Sequence, residues 1–349
     1  MAETNIFVGV SIYRGGTNPG VFRQTLGEKS WEQLRNGLPD PVRCTAVTVH
    51  PQDANLVFAG THDGPYLSAD QGNTWKRPNF PDKGVQIWSF LVHPTKPDTV
   101  FAGGAPTAFY RSDDRGQSWR LLQRPQTPER AKMDFPCRVM RIAHDPAKPN
   151  DFYAIIEVNG VMRSRDGGET WSDCSAGLIR LADEPRLKSK IGSDSEAEGM
   201  LDGHALCVTP ADPGAVFLAV RMGLFRSGDG GDSWTDLEVG KQSPLTYARD
   251  IRPAPQDPKT LYACLSVHST GDTGSLVKST DVGKTWTRFD HGPHPTSTMM
   301  NLALHPRDPK QVYGVTRKGQ VIGTRDGGAS FFETRLPEGC GDCYAVACG

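Results

Sequence analysis

One eight-residue pattern constrains this chain more than any other feature, because it returns at the spacing of a structural repeat. Ser68–Trp75 reads SADQGNTW, and SDDRGQSW at Ser112–Trp119, SRDGGETW at Ser164–Trp171, SGDGGDSW at Ser227–Trp234 and STDVGKTW at Ser279–Trp286 are close copies. TRDGGASF at Thr324–Phe331 is looser, and QTLGEKSW at Gln24–Trp31 keeps only the end. The closing aromatics stand at 31, 75, 119, 171, 234, 286 and 331. A period of 20 to 50 residues, lengthened by loops, marks an array whose units bury their faces against one another.

Each turn sits in a larger unit, as in VTVHPQDANLVFAGTHDGPYLSADQGNTWKR. An apolar run ends in His-Pro, then come a polar turn, a β-rich run, a Gly turn, a short run, the eight-residue turn and a last run. That is four short strands per unit, punctuated by Gly, Pro and Asp. No segment keeps a helical period over three turns, so the chain reads as all-β. Within the turn, Asp can accept from backbone N–H groups, Gly takes the positive φ, and Ser or Thr adds hydroxyl bonds. The first unit lacks the strand that should precede NIFVGVSIYRGG, while CYAVACG at the C-terminus has no unit of its own. The expected fold is therefore a seven-bladed β-propeller of four-stranded antiparallel blades, closed by pairing a C-terminal inner strand with the N-terminal blade. Residues 1–349 are expected to form one propeller domain, with 175–204 as a loop inserted on its functional face.

The S-x-D-x-G-x-T-W turn resembles the Asp-box, or BNR, repeat of sialidases, sortilin-type receptors, xyloglucan-cleaving glycosidases and the photosystem II stability and assembly factors. Five of the seven copies match it fully if Ser is allowed for Thr. The resemblance implies that these turns, which join the third and fourth strands of a blade, are structural. It also implies that any active site lies on the opposite face, around the central channel. Fold alone establishes no activity.

Composition narrows the partners. A formal net charge of -1 over 349 residues argues against general binding of nucleic acid or an anionic membrane surface. The N-terminal MAETNIFVGVSIYRGG has neither a basic region nor a long apolar run, so a cytoplasmic protein with its eight Cys mostly as thiols is expected.

Residues explained by the repeat need no functional reading. Six of the seven Trp close a turn; Trp88 does not, and it should sit near the channel mouth. His50, His93, His144 and His305 recur at one repeat position and read as turn residues. His62, His204, His268, His291 and His294 fall instead on the turns or connections of the face opposite the repeated turns. The same face gathers Tyr13, Arg14, Asp63, Glu157, Arg221 and Arg317 from the turns between second and third strands. Arg138, Tyr247, Arg249 and Asp250 come from the starts of inner strands. Several guanidinium groups in a concave mouth favour a small anionic or carbohydrate-like ligand bearing carboxylate, sulfate or phosphate. We therefore take Tyr13, Arg14, Trp88, Arg138, Arg221, Arg249 and Arg317 as ligand-binding candidates, and His62, Asp63, Glu157, His204 and His268 as catalytic ones.

Three chemistries fit parts of this set. Tyr13, Glu157, Asp63, Arg221 and Arg317 supply the residue types of a sialidase, but the Phe-Arg-Ile-Pro motif is absent. Asp63, Glu157, Asp202, Asp250 and Asp272 could include a glycosidase pair, whose separation decides the outcome. Cys340 and Cys343 form a C-x-x-C, and Cys44 holds the position equivalent to Cys343 in the next blade; with His62 they could hold a divalent metal, zinc or iron. Buried thiols or a disulfide suit the same cysteines. The segment Ser175–His204 could form a lid over the channel or a flexible excursion. Two function classes stay open: a channel-mouth pocket, hydrolytic or lyase-like in chemistry, and a non-catalytic scaffold that docks a protein partner.

Overall fold

The computed structural model describes residues 4–128, 130 and 133–349. Its strands form seven antiparallel sheets, and the innermost strands touch one another in closed cyclic order, so the sheets stand as blades around a channel. Blade 3 is representative, running outward through Gln86–Val92, Val100–Ala105, Ala108–Ser112 and Arg120–Leu121. Blade 2 has three regular strands, its fourth reduced to a bridge between Leu67 and Lys76. Blade 1 is closed as expected. Cys343–Cys348 pairs antiparallel with Asn5–Val10, placing Ile6 opposite Cys348 and Val8 opposite Val346, and Asn5 and Gly349 exchange backbone hydrogen bonds of 3.0 and 3.2 Å.

Each blade is covered on both faces by its neighbours, which is why strands such as Val100–Ala105 are buried at every position and show no alternation. The apolar interior is accordingly split into seven layers between adjacent blades. Between blades 3 and 4, the turn-closing Trp171 stacks on Phe109 with ring centroids 4.1 Å apart.

The repeated turns carry one hydrogen-bond pattern. In Ser112–Trp119, Ser112 Oγ donates to Asp114 Oδ1 at 2.7 Å and accepts from Gly116 N at 2.8 Å. Asp114 also accepts from Ser118 N and Ser118 Oγ, and Trp119 Nε1 donates to the Gly116 carbonyl at 3.0 Å. Gly116 is required twice over: its φ is +87°, and a Cβ there would lie 2.5 Å from Phe58. The His-Pro residues are turn residues too, with His305 Nδ1 accepting from Arg307 N and Asp308 N.

The long insertion departs from the all-β reading. It folds into two short helices, α1 (Ala176–Leu181) and α2 (Glu198–Leu201), because Leu178, Leu187 and Met200 find an apolar place in the layer between blades 4 and 5. Glu198 is fully buried and accepts from the Ile191 and Gly192 backbones, tying the segment together.

Candidate functional site

A β-bulge near the start of every inner strand builds the site. In each of the seven blades the pairing of the innermost strand with its neighbour skips one residue: Tyr344, Thr45, Trp88, Met140, His204, Arg249 and Met300 in blades 1 to 7. A bulge releases its extra residue from the pleat and re-aims it. All seven skipped side chains line the central channel.

On the face opposite the repeated turns the channel opens into a cavity of about 410 Å³. His204, Arg249 and Tyr344 stand at the junction of the two spaces. The turns between second and third strands add Tyr13, Arg14, Glu157, Arg221 and Arg317, and Arg138 enters from a connection. The connection before the inner strand of blade 4 adds Asp134 and Phe135 to the rim, and the Ser175–His204 insertion adds Ile191 and Asp202.

The cations of the mouth are unequally matched. Arg138 donates to Glu157 Oε2 at 2.8 Å, Arg317 pairs with Asp342 at 3.3 Å, and Arg221 lies 3.6 Å from Asp202. Among the described residues Arg249 has no carboxylate at ion-pair distance. It is 7% exposed, its Nε has no hydrogen-bond partner, and a long 3.4 Å contact joins Nη1 to the Tyr247 hydroxyl. A buried guanidinium left this way is costly, which makes it a ready receptor for an anion.

His204 is held from both sides. Its Nδ1 lies 2.6 Å from the Ala248 carbonyl, which can only accept, so Nδ1 carries a hydrogen. Nε2 faces Asp202 at 3.5 Å and the Tyr247 hydroxyl at 3.4 Å. Burial would raise the Asp202 carboxyl, but the charges of His204, Arg249 and Arg221 outweigh it and hold Asp202 below the usual carboxylate range. Asp202 is therefore ionised at neutral pH. Beside this pair stands an aromatic wall: Tyr13 stacks on Trp88 at 5.8 Å, Tyr344 meets Trp88 edge-on at 5.4 Å, and the Arg138 guanidinium lies 4.3 Å over Trp88.

Eight of the twelve expected catalytic and ligand-binding residues line the mouth cavity, and Trp88 stands beside them in the channel wall. His62, Asp63 and His268 do not reach it. His62 Nδ1 accepts from Arg43 N, Asp63 pairs with Arg77 at 3.1 Å, and His268 is exposed with its ring against Thr270. These three occupy the expected turns but line neither the mouth cavity nor the channel. Tyr344 and Phe135 were missed; Tyr344 escaped because bulges break the alternation from which facing is read.

The metal expectation for Cys44, Cys340 and Cys343 fails on geometry. Among the described residues no three His, Cys, Asp or Glu side chains converge as a metal requires. Cys44 and Cys343 stand at equivalent positions but enter different inter-blade layers. All eight cysteines are free thiols, so no disulfide joins Cys340 to Cys343.

Comparison with known proteins agrees with this architecture. The family model described as Sortilin-Vps10 (Sortilin, neurotensin receptor 3) matches residues 64–183 and 222–344. The xyloglucanase Xgh74A of Acetivibrio thermocellus is 27% identical over 269 residues, covering 67% of this chain and 29% of that protein. A probable oligoxyloglucan-reducing end-specific xyloglucanase of Neosartorya fischeri is 23% identical over 249 residues, 64% of this chain and 27% of that one. The chain thus spans somewhat under a third of the length of the curated relatives it matches. Among solved structures, the GH74 xyloglucanase of Xanthomonas campestris superposes with a TM-score of 0.63 at 18% identity, over 92% of this chain and 52% of that one. YCF48 bound to D1 peptide superposes with a TM-score of 0.55 at 15% identity, over 97% and 95%.

Proposed function

The chain belongs to the Sortilin-Vps10 family, and from that premise we propose a propeller that binds a small anionic, sugar-like ligand at its channel mouth, a sugar acid being the simplest fit. The observation that carries this reading is Arg249: aimed inward by its bulge, buried, and without a carboxylate among the described residues. A ligand carboxylate would complete it, each charge-assisted hydrogen bond contributing roughly 1.5 to 3 kcal/mol. The Tyr13–Trp88–Tyr344 wall offers a surface for a sugar ring, in keeping with a likeness to xyloglucanases.

Chemistry at this site would run through His204, whose Nε2 faces Asp202 and Tyr247. Hydrolysis or elimination at the bound acid is the activity to assay. A glycosidase relying on two carboxylates of this chain alone is disfavoured. The charges around Asp202 hold it below the usual carboxylate range, which suits it poorly to the acid role, and Glu157 is engaged by Arg138.

The test is thermal unfolding of wild type and Arg249→Met with glucuronate, galacturonate and neutral glucose. A ligand at 100 times its Kd should stabilise by about 2.7 kcal/mol. We expect stabilisation by a uronate, lost in the variant; an equal shift with glucose overturns the anionic reading. A second reading, a scaffold docking a protein segment at the same mouth, is favoured by the end-to-end match with YCF48 bound to D1 peptide. It gains if peptides, and no sugar acid, give the shift.

A further inference from the structure

Below the mouth, the channel narrows into a cavity of about 300 Å³ whose charge is unbalanced in a way the mouth ligand does not address. Arg141 from the inner strand of blade 4 and Arg249 and Arg252 from that of blade 6 all line it. The carboxylate among them is Asp250, fully buried and saturated. Asp250 Oδ1 accepts from Arg141 Nη2 at 2.9 Å and Ile251 N at 2.9 Å. Oδ2 accepts from Arg252 Nε at 3.0 Å, Asn301 Nδ2 at 2.7 Å and Leu302 N at 3.1 Å.

One carboxylate with five donors cannot neutralise the two guanidinium groups bonded to it. Arg141 donates Nη2 to Asp250, and Arg252 donates Nε to Asp250 and Nη2 to Asn301 Oδ1 at 3.3 Å; each keeps further N–H groups. Burial and the charge of Arg252 push the Arg141 guanidinium down from its ordinary value, the sign of two cations held together without full compensation. Guanidinium groups converging from two strands suit a compact oxyanion with several acceptor oxygens.

We propose that the central channel holds an anion site, separate from the mouth, in which Arg141 and Arg252 bind a small tetrahedral oxyanion of the phosphate or sulfate class. The site uses neither Arg249 nor any other residue assigned to the mouth ligand. Such an ion lies between blades 4 and 6, which flank blade 5, and adds to the Arg141–Asp250 link between them.

Calorimetric titration of the wild-type protein with inorganic phosphate tests it. We expect saturable binding that falls about tenfold or more in Arg252→Gln, with Arg252→Lys between, since lysine keeps the charge but not the fork. His268→Ala, an exposed residue outside both cavities, should bind phosphate as the wild type does. No saturation at about 10 mM phosphate, where a site of Kd ~1 mM would be mostly filled, overturns the proposal. Equal affinity in Arg252→Gln also overturns it. Should Arg252→Gln fail to fold, competition decides: displacement of phosphate by sulfate and not by glucuronate supports a channel site. Displacement by glucuronate locates the anion at the mouth and overturns it. A separate glucuronate titration keeps failure of the mouth reading distinct.

Discussion

The two faces of the ring treat polar groups in opposite ways. On the face opposite the mouth the Asp of each repeated turn is matched in advance: Asp114 accepts from Ser112 Oγ, Ser118 N and Ser118 Oγ, and Asp70, Asp166, Asp229, Asp281 and Asp326 repeat the scheme. At the channel mouth and below, donors outnumber acceptors, and Arg249 is left over. Self-satisfied polar groups stabilise a fold and offer nothing to a ligand; a surplus of one sign does the reverse.

This contrast can be broken in graded steps. The largest effect is expected from Gly116→Val, which puts a β-branched residue at φ +87° with its Cβ 2.5 Å from Phe58. Backbone strain and overpacking together should cost about 3 kcal/mol or more in chemical denaturation. Asp229→Ala should cost about 1 to 2 kcal/mol through its lost hydrogen bonds. Burial works against ionisation of Asp229, but bonds from Ser233, Ser227 and Asp232 prevail and hold it at about 2 instead of 3.8. A carboxyl depressed on folding contributes stability above its unfolded value and loses it as pH falls toward the folded one. Acid titration of stability should therefore steepen below about pH 4, and Asp229→Asn should flatten part of that slope.

The mouth should answer differently. Arg249→Met removes a buried charge that lacks an ion-pair partner among the described residues but helps hold Asp202 ionised, so stability should stay within about 1 kcal/mol while uronate binding falls about tenfold or more. A clear loss of stability in Arg249→Met would erase the contrast. The smallest effect is expected at His268→Ala, an exposed side chain outside the cavity: within about 0.5 kcal/mol in stability, with unchanged ligand affinity.

What could be read from the sequence follows the same division. The turns announce themselves because five copies solve one local problem with the same Ser, Asp, Gly and Trp, and with two looser copies at comparable spacing they define a ring. The mouth is built from residues that differ between blades, so no repetition marks them. Assigning His62 and His268 to the correct turns did not give the direction of their side chains. The bulges were the larger obstacle: alternation along GHALCV or CYAVAC does not reveal that His204 and Tyr344 have left the pleat for the channel. Cys44 and Cys343 illustrate the converse, since equal positions in adjacent blades face different layers rather than each other.

The seam in blade 1 also has a mechanical meaning. Asn5 and Gly349 are bonded neighbours at one end of an antiparallel strand pair. Tension applied through the segments flanking them would load those rungs one after another, as in a zipper, instead of shearing all of them at once. The seam should therefore open at lower force under a pull on Asn5 and Gly349 than under shear along the paired strands.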